Sequence, residues 1–306
     1  MLVNLNSILP KARKKHYGVG AFNTSNIELT QAIINAAETL NAPVIVATSE
    51  KAIRYAGIEV ISQLVITMAK KISIPVVLHL DHGSSVEIVR ECIKNNYSSV
   101  MIDMSHLSFR DNLKITRQVV KYAHKHGVTV EAEIGRLAGI EDDIDVKSED
   151  VIYTDPEQAK LFAEGSGCDA LAIAIGTSHG AYKFQGKPRL RIDILKEITR
   201  HVKIPLVLHG ASGVKAQWIN RVNKYGGNLE HAKGVPDLLI KQAVKHGIAK
   251  INTDTDLRIA FTAGIREYLT KQVEDFDPRK IVGHGRKMAQ MVVENRIRVF
   301  GSVNKA

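Results

Sequence analysis

A single stretch of the chain, Ile74-Pro-Val-Val-Leu-His-Leu-Asp-His-Gly83, has the pattern of a strand that is covered on both faces. Its apolar residues do not alternate with polar ones, which is typical of a parallel sheet with helices on both sides. The apolar run ends at Asp81, His82 and Gly83. The stretch therefore predicts a buried parallel strand that delivers polar side chains at its carboxyl end.

Two later stretches follow the same plan. Ile204-Pro-Leu-Val-Leu-His-Gly-Ala-Ser-Gly213 nearly copies the first, and Ala170-Leu-Ala-Ile-Ala-Ile-Gly176 leads into Thr177-Ser-His-Gly180. The three His-Gly pairs contain His82, His179 and His209. Sites in α/β proteins lie at the carboxyl ends of strands, and three protein ligands leave one position open on a catalytic zinc ion. We expect these histidines to bind one metal ion; the alternative is three histidines that only cap loops.

The rest of the chain alternates strand-like and helix-like segments, with Ser25 as the expected N-cap of the first helix after a strand. The eight predicted strands begin near residues 18, 43, 74, 99, 128, 170, 205 and 250. Two helical segments, 257–273 and 278–300, finish the chain. Eight strand-helix units without internal linkers predict an α/β protein with a single domain over residues 1–306, a (β/α)₈ TIM barrel with extra C-terminal helices.

Composition is that of an ordinary globular protein, with 44% hydrophobic and 24% charged residues. No apolar run approaches the roughly 20 residues of a membrane span, and residues 1–10 lack the basic start and cleavage site of a signal peptide. We therefore expect a cytoplasmic protein that does not bind membranes. Two cysteines, Cys92 and Cys168, are too few for a disulfide framework and are expected to be buried thiols.

The net charge of +10 favours an anionic partner. Arg13-Lys-Lys-His16 is the only dense basic cluster, and basic residues are not interleaved with aromatic ones as in proteins that bind single-stranded nucleic acid. We expect no nucleic-acid binding and interpret the charge as a field that concentrates a small anionic substrate.

In such a barrel the carboxyl ends of all strands meet at one mouth. The residues expected there are Asn23, Ser49, Asp81, His82, Asp103, Glu131, Glu133, His179, Gly180, His209, Gly210, Ser212, Asn252 and Asp254. Crowded carboxylates raise one another's pKa unless a cation is present, so a divalent ion is expected. Glu133 would be a further metal ligand or support one, and Asp81, beside a liganding histidine, would transfer protons. We expect Glu131 and His79 to be structural.

The segments after the seventh and eighth strands favour a phosphate site. Gly210-Ala-Ser-Gly213 lets backbone N–H groups approach an anion, and Asn252-Thr-Asp-Thr-Asp-Leu-Arg258 adds hydroxyl groups and a guanidinium. A metal ion beside a phosphate pocket suits a phosphorylated carbonyl compound, because the ion would polarise the carbonyl and stabilise an enediolate. A lysine imine would need a lysine at a strand's carboxyl end, and Lys250 enters the eighth strand from the other end.

The segment 135–155 is longer than an ordinary βα loop and carries acidic residues such as Glu141. Long segments of this kind are commonly functional lids, and the alternative is a solvated acidic loop. We expect a lid.

Taken together, these motifs resemble the class II, metal-dependent fructose-bisphosphate aldolases. The matching segments are Leu78-His-Leu-Asp-His-Gly83, Met101-Ile-Asp103, Val130-Glu-Ala-Glu-Ile-Gly-Arg136, Ala174-Ile-Gly-Thr-Ser-His-Gly180, Leu206-Val-Leu-His-Gly-Ala-Ser-Gly213 and Asn252-Thr-Asp-Thr-Asp-Leu-Arg258. The resemblance implies a lyase of glycolysis and gluconeogenesis that reversibly cleaves fructose 1,6-bisphosphate to dihydroxyacetone phosphate and glyceraldehyde 3-phosphate.

The resemblance also implies roles for individual residues. Zinc ligands would be His82, His179 and His209, with Asp103 and Glu133 as additional metal positions. Asp81 would protonate the aldehyde oxygen, and Glu141 would remove the proton from bound dihydroxyacetone phosphate. The dihydroxyacetone phosphate half would contact Gly180, Gly210, Ser212, Asp254 and Thr255, and the distal phosphate would contact Ser49, Arg258 and Lys183. Asn23, Ala211, Asn252 and Thr253 complete the expected substrate-binding residues.

Members of this family form dimers or larger assemblies, so the resemblance implies a homodimer or homotetramer in which a neighbouring subunit supplies one distal contact. It also implies room for a second divalent ion and for a monovalent cation, Na⁺ or K⁺. Tagatose-bisphosphate aldolases share the metal and acid motifs, but the strand-eight motif and the extra helix 236–246 are more similar to the fructose enzymes. A barrel metallohydrolase acting on sugar phosphates and a non-enzymatic binding protein are the alternatives from other classes.

Overall fold

In a computed structural model, the chain folds as a closed barrel of eight parallel strands with helices around it. The structure describes residues 1–136, 139–141, 144–146, 152–178, 180, 189–230 and 232–306, and of 139–141 and 144–146 only the backbone. The predicted (β/α)₈ barrel is confirmed, including the two helices that end the chain.

The barrel strands follow the apolar runs of the sequence and are almost entirely buried. They are β1 Val19–Asn23, β2 Val44–Ser49, β3 Val76–Gly83, β4 Ser99–Ile102, β5 Thr129–Ile134, β8 Ala170–Ile173, β9 Leu206–Leu208 and β10 Ile248–Thr253. They are hydrogen-bonded in chain order, and β10 pairs with β1 to close the ring. Their carboxyl ends therefore share one mouth.

The helices pack outside the barrel or against its ends. They are α1 Leu9–Lys14, α2 Ile27–Thr39, α3 Glu50–Ala56, α4 Ile58–Ala69, α5 Val86–Lys94, α6 Phe109–His124, α7 Pro156–Ser166, α8 Ile192–His201, α9 Ala216–Lys224, α10 Asp237–Lys245, α11 Thr255–Lys271 and α12 Pro278–Phe300. Side-chain caps fix several starts, as at Ser85 and Asp155, which accept hydrogen bonds from backbone N–H groups in the first turn. The N-cap of α2 is Asn26, not the predicted Ser25.

The amino end of the barrel is closed by a segment that sequence patterning did not reveal. The 3₁₀ helix Leu5–Ser7 and α1 place Leu5, Ile8 and Leu9 in a buried cluster with strand residues such as Val19. These elements are shorter than two turns of amphipathic helix, so their apolar spacing gives little periodic signal. With the amino end filled, the carboxyl end is the mouth where ligands enter.

The long segment after β5 contains a second, two-stranded sheet in its described part. β6 Gly139–Glu141 and β7 Ile144–Val146 pair antiparallel, and Arg136 forms an isolated bridge with Ile152. The hairpin starts where β5 leaves the barrel mouth, which is where a lid would have to be attached.

Both cysteines are buried, as predicted. Among the described residues, no single helix is long and apolar enough to cross a membrane, although α3 and α4, bent by 96° at their junction, pass a test of length and composition as a pair.

Candidate active site

A bulge at the end of β3 brings two consecutive side chains to the mouth. Neighbouring residues of a regular strand point to opposite faces, but the register with β4 shifts between Leu80 and Gly83, and His82 has a φ of +49°. This left-handed conformation is uncommon for a residue with a side chain and often marks a functional site. As a result, Asp81 and His82 both offer ligand atoms to one cluster.

Two amides hold the Asp81 carboxylate. Asn23, at the end of β1, and Asn252, on β10, each donate a side-chain N–H to a different carboxylate oxygen over 2.8 Å. Burial alone raises the pKa of Asp81, but the nearby His82 and Lys250 outweigh it and lower the pKa below its ordinary value. Asp81 is therefore an ionised carboxylate in a fixed orientation.

The His82 imidazole is fixed by Asp103, which follows β4. Nδ1 of His82 lies 2.7 Å from an Asp103 oxygen, and the other oxygen accepts a hydrogen bond from the backbone N–H of Ser105. Burial would lower the pKa of His82, but Asp103 and Asp81 raise it well above its ordinary value. The carboxylates around His82 therefore create a negative field that favours a positive charge at this position.

His209, directly after β9, lies between two glutamates of β5. Its Nδ1 is 3.0 Å from Glu133 and its Nε2 is 2.9 Å from Glu131. Burial and His82 lower the pKa of His209, but the two glutamates outweigh them and raise it to about 9. The bond to Glu131 leaves Nδ1 as the nitrogen that turns toward the mouth carboxylates.

The role of Glu131 was underestimated from the sequence. Its carboxylate also forms an ion pair with Lys250 at 2.9 Å inside the barrel, so Lys250 lies below the mouth, as its position in the strand predicted. His79 packs in the same layer and is hydrogen-bonded to Ser99. Burial and Lys250 lower the pKa of His79 to about 3, so it is a neutral, structural histidine as expected.

The ligand atoms converge in two overlapping groups. One contains Asp81, His82 and His209, the other His82, Asp103 and Glu133, and within each group the atoms lie within 4.8 Å of one another. Ligand atoms of a tetrahedral zinc site are about 3.4 Å apart when the bonds are about 2.1 Å long. Imidazole nitrogens with carboxylate oxygens are a suitable donor set for zinc, so these residues fit a divalent ion after small side-chain movements.

Three predicted residues cannot be placed. His179 and Lys183 lie outside the described residues, and so does the side chain of Glu141, whose backbone ends β6. Their assignments stay predictions. Ser178, which precedes His179, is buried beside the loop that follows His209.

That loop has the shape of an anion site. Gly210 has a φ of +58°, and a Cβ added to it would lie 2.6 Å from the carbonyl oxygen of Ser178. The loop is buried, yet the backbone N–H groups of Gly210, Ala211 and Ser212 have no acceptor among the described residues. Buried N–H groups are nearly always paired, so this concentration of unpaired donors favours a bound anion.

The contribution of Gly213 differs from the prediction. The N–H groups of Gly213 and Val214 donate to the Asp256 carboxylate over 2.8 and 2.6 Å, so they are not available to a phosphate. The buried Arg296 of α12 lies 3.9 Å from the same carboxylate. Asp256 and Arg296 therefore fix the loop from behind, a role that motif spacing did not indicate.

The start of α11 forms the rim of the mouth. Asp254, which is buried, accepts two hydrogen bonds from the partly exposed guanidinium of Arg258, at 2.9 and 2.6 Å. Thr255 begins the helix, and Ser49, level with Asp81 in the sheet, caps α3. Gly180 has a φ of +78° next to the undescribed His179.

Buried polar atoms without a partner in the described residues also concentrate at the mouth. They include the side-chain oxygens of Asn23, Asn252, Thr253 and Thr177. The first three lie at the carboxyl ends of β1 and β10, which are neighbours in the barrel. Unpaired buried acceptors and hydroxyls cost free energy unless a ligand or water satisfies them, so they indicate a polar ligand.

Comparison with known proteins agrees with this geometry. The sequence model of "Fructose-bisphosphate aldolase class-II" matches residues 3–305. The chain belongs to the class II fructose-bisphosphate aldolase family. Relatives in this family named fructose-bisphosphate aldolase include one from Thermus caldophilus, 50% identical over 306 residues, and one from Helicobacter pylori strain 26695, 47% identical, each covering 100% of both chains.

The fold is similar to that of solved aldolase structures. The crystal structure of the YdjI aldolase from Escherichia coli K12 superposes with a TM-score of 0.82 at 32% sequence identity and covers 100% of both chains. The family resemblance inferred from the motifs is thus confirmed over the whole length. The histidines and carboxylates that cluster at the mouth are therefore the candidate metal site of a class II aldolase.

Proposed function

We propose that this protein catalyses the reversible cleavage of fructose 1,6-bisphosphate to dihydroxyacetone phosphate and glyceraldehyde 3-phosphate. The observation that carries the proposal is the Asp81 carboxylate, fixed by two amides and clustered with the His82 and His209 imidazoles at the barrel mouth. Family membership supports the same activity.

His82 and His209 would hold a zinc ion together with His179, and Asp103 and Glu133 would be the additional metal positions. When bound, a divalent ion supplies Lewis acidity that polarises a carbonyl oxygen. Glu131 would orient the His209 imidazole by bonding Nε2, the nitrogen that does not face the ion. The crowded carboxylates would also suit a second divalent ion.

Asp81 would move the proton of the C4 hydroxyl group. Its lowered pKa keeps it ionised, so in cleavage it accepts the hydroxyl proton while the C3–C4 bond breaks and its electron pair moves toward the C2 carbonyl. In condensation the same carboxylic acid returns the proton to the aldehyde oxygen. Asn23 and Asn252 would keep the carboxylate aimed. Their side-chain oxygens, which have no partner within the described part of the chain, would accept hydrogen bonds from substrate hydroxyl groups.

Glu141 would handle the proton on carbon. On the hairpin that follows β5, it would add a proton at C3 after cleavage and remove it from dihydroxyacetone phosphate before condensation. A lid that carries this residue would keep water out during this proton transfer.

The two phosphates would bind at separate positions in the mouth. The amides of Gly210, Ala211 and Ser212, which have no acceptor among the described residues, favour the phosphate of the dihydroxyacetone half. Gly180, Thr253, Asp254 and Thr255 would lie around it, with a monovalent cation, Na⁺ or K⁺, beside it. Ser49, Arg258 and Lys183 would contact the distal phosphate. One of these would come from a neighbouring subunit of a homodimer or homotetramer, and the cytoplasmic location stays a prediction.

The test is product analysis with the zinc-loaded protein. Fructose 1,6-bisphosphate should yield equal amounts of the two triose phosphates and no inorganic phosphate. Asp81→Asn keeps the shape of the side chain but removes its basicity, so kcat should fall by about 10²- to 10⁴-fold. Release of inorganic phosphate would instead identify a metallohydrolase, and full activity in D81N would exclude Asp81 as the proton carrier.

The stereochemistry at C4 needs its own comparison. Tagatose 1,6-bisphosphate is the C4 epimer, and its hydroxyl would approach Asp81 from the other side. We expect faster cleavage of the fructose compound at equal concentrations. A higher kcat/KM for the tagatose compound would reassign the substrate and leave the reaction type unchanged.

A further inference from the structure

A basic depression lies at the end of the barrel opposite the active site. It has a volume of about 350 Å³ and lies where α1, α8 and α10 end. Six of its lining residues carry cationic or titratable nitrogen: Arg13, His16, Lys196, Arg200, Lys245 and His246. Arg13 and His16 belong to the dense basic cluster of the sequence, which therefore does not face the catalytic mouth.

No aspartate or glutamate among the described residues lines this depression. Glu197 is close, and it pairs with Arg200 at 2.6 Å. The pKa of His246 is lowered by burial and by the positive charges of Lys196, Lys245 and His16. These groups are thus near enough to repel one another.

Helix ends do not account for so much charge. The carboxyl end of a helix carries about −0.5 elementary charge, which favours a basic residue in the last turn. The carboxyl ends of α1, α8 and α10 and the Glu197 carboxylate together carry less negative charge than the positive charge of the four lysine and arginine side chains. These four are Arg13, Lys196, Arg200 and Lys245. A positive surplus therefore remains in a concave surface, where the field on an anion is strongest.

The floor of the depression is rigid. The half-buried guanidinium of Arg13 donates to the backbone carbonyls of Thr199, Val202 and Ile204, which ties α1 to the end of α8. Thr199 donates its hydroxyl to the carbonyl of His246 over 2.8 Å and so connects α8 to the end of α10. Lys196 and Lys245, both exposed, extend from this fixed base.

We propose that this depression binds a compact anion that carries two or more phosphate groups, such as the triphosphate of a nucleotide. Its volume is at the lower end of small-ligand sites, about 300–1,000 Å³, which suits a polyphosphate group better than a polymer. Lysine and arginine side chains on three helices provide charge-assisted hydrogen bonds from several directions. This site is separate from the proposed aldolase reaction and does not depend on it.

The test is calorimetric titration of the zinc-loaded full chain with ATP and with inorganic triphosphate, both added as magnesium complexes so that they do not remove zinc. The double variant Lys196→Glu with Lys245→Glu should raise the Kd at this site more than roughly tenfold for both ligands. Lys196→Gln with Lys245→Gln should give an intermediate loss. Equal affinities of the two ligands would assign recognition to the phosphates, and tighter ATP binding would add a contact to the nucleoside.

The matched control is Lys114→Glu with Lys287→Glu, which changes the net charge equally at exposed positions on α6 and α12. It should leave Kd within about twofold of the wild type. If both double variants weaken triphosphate binding equally, net charge alone explains the effect and the proposal is wrong. An unchanged isotherm in K196E/K245E, or binding of RNA or an acidic peptide at this face with none of triphosphate, would also overturn the proposal.

Aldolase turnover separates this proposal from the proposed function. K196E/K245E should cleave fructose 1,6-bisphosphate at the wild-type rate when no triphosphate is present. If the wild type has no aldolase activity but K196E/K245E still loses triphosphate binding, the proposed function is wrong and the triphosphate site stands.

Discussion

Lys250 and Glu131 form an ion pair inside the barrel, with the ammonium nitrogen 2.9 Å from the carboxylate and both side chains fully buried. The same carboxylate is 2.9 Å from Nε2 of His209. A lysine below the mouth thus stabilises the charge that orients a candidate metal ligand above it. Lys250, Glu131 and His209 thus connect β10, β5 and the residue after β9.

Lys250→Met should strongly destabilise the protein, because it leaves the Glu131 carboxylate buried without its partner. Removing one member of a buried pair costs about 3–5 kcal/mol, measurable as a loss of unfolding free energy in urea. The double variant K250M/E131Q removes both charges and should be more stable than K250M alone. A K250M protein within about 1 kcal/mol of the wild type would show that solvent or another group neutralises Glu131.

Gly210→Ala and Gly127→Ala form a matched pair, since both glycines have positive φ, +58° and +71°. A Cβ at 127 meets nothing within 4 Å, whereas one at 210 meets the Ser178 carbonyl at 2.6 Å. G127A should lower the free energy of unfolding by about 1–2 kcal/mol and leave kcat/KM unchanged. G210A should also lower kcat/KM by at least about tenfold, because it displaces the anion loop. Equal kcat/KM values in the two variants would show that this loop does not contact the substrate.

Glu267 should make stability depend on pH in the acid range. Burial raises the pKa of Glu267, but Lys271 and Arg221 outweigh it and hold the pKa at about 2. Because the folded pKa is below the unfolded value of about 4.3, the stabilisation is complete above that value and is lost as the pH falls toward 2. Glu267→Gln should therefore reduce unfolding free energy by roughly 1–2 kcal/mol at pH 7.

The check is a urea series for the wild type and E267Q at several pH values from 7 to about 2.5. The two stability curves should approach each other below pH 4. A constant difference between them would mean that Glu267 contributes by packing and not by its charge.

The sequence predicted the barrel well because each strand is an apolar run that ends in polar residues, as in β3. It also predicted that Asp81, His209 and Asn252 lie at the mouth, since parallel strands share one polarity, whereas Glu131 lies lower, against Lys250. It could not predict the left-handed His82, because only the bulge against β4 turns Asp81 and His82 toward one point. Periodicity carries no information about such a local shift.

The sequence also did not reveal contacts between segments that are distant along the chain. Asp256 was grouped with the phosphate-binding motif, but it accepts hydrogen bonds from Gly213 and Val214 and lies near Arg296. Lys250 was considered only as an imine candidate, yet it pairs with Glu131 across the barrel. Both interactions join residues more than 30 positions apart, which no local pattern encodes.

We propose that the imidazoles of His82 and His209 share one catalytic zinc ion beside Asp81. The most direct test of this proposal is a crystal of the zinc-loaded protein measured on both sides of the zinc absorption edge. We expect one strong anomalous peak about 2.0–2.1 Å from a nitrogen of each histidine, and we expect His209→Ala to lose it. A zinc-replete crystal with no peak between these rings, or with zinc bound only elsewhere, would contradict it.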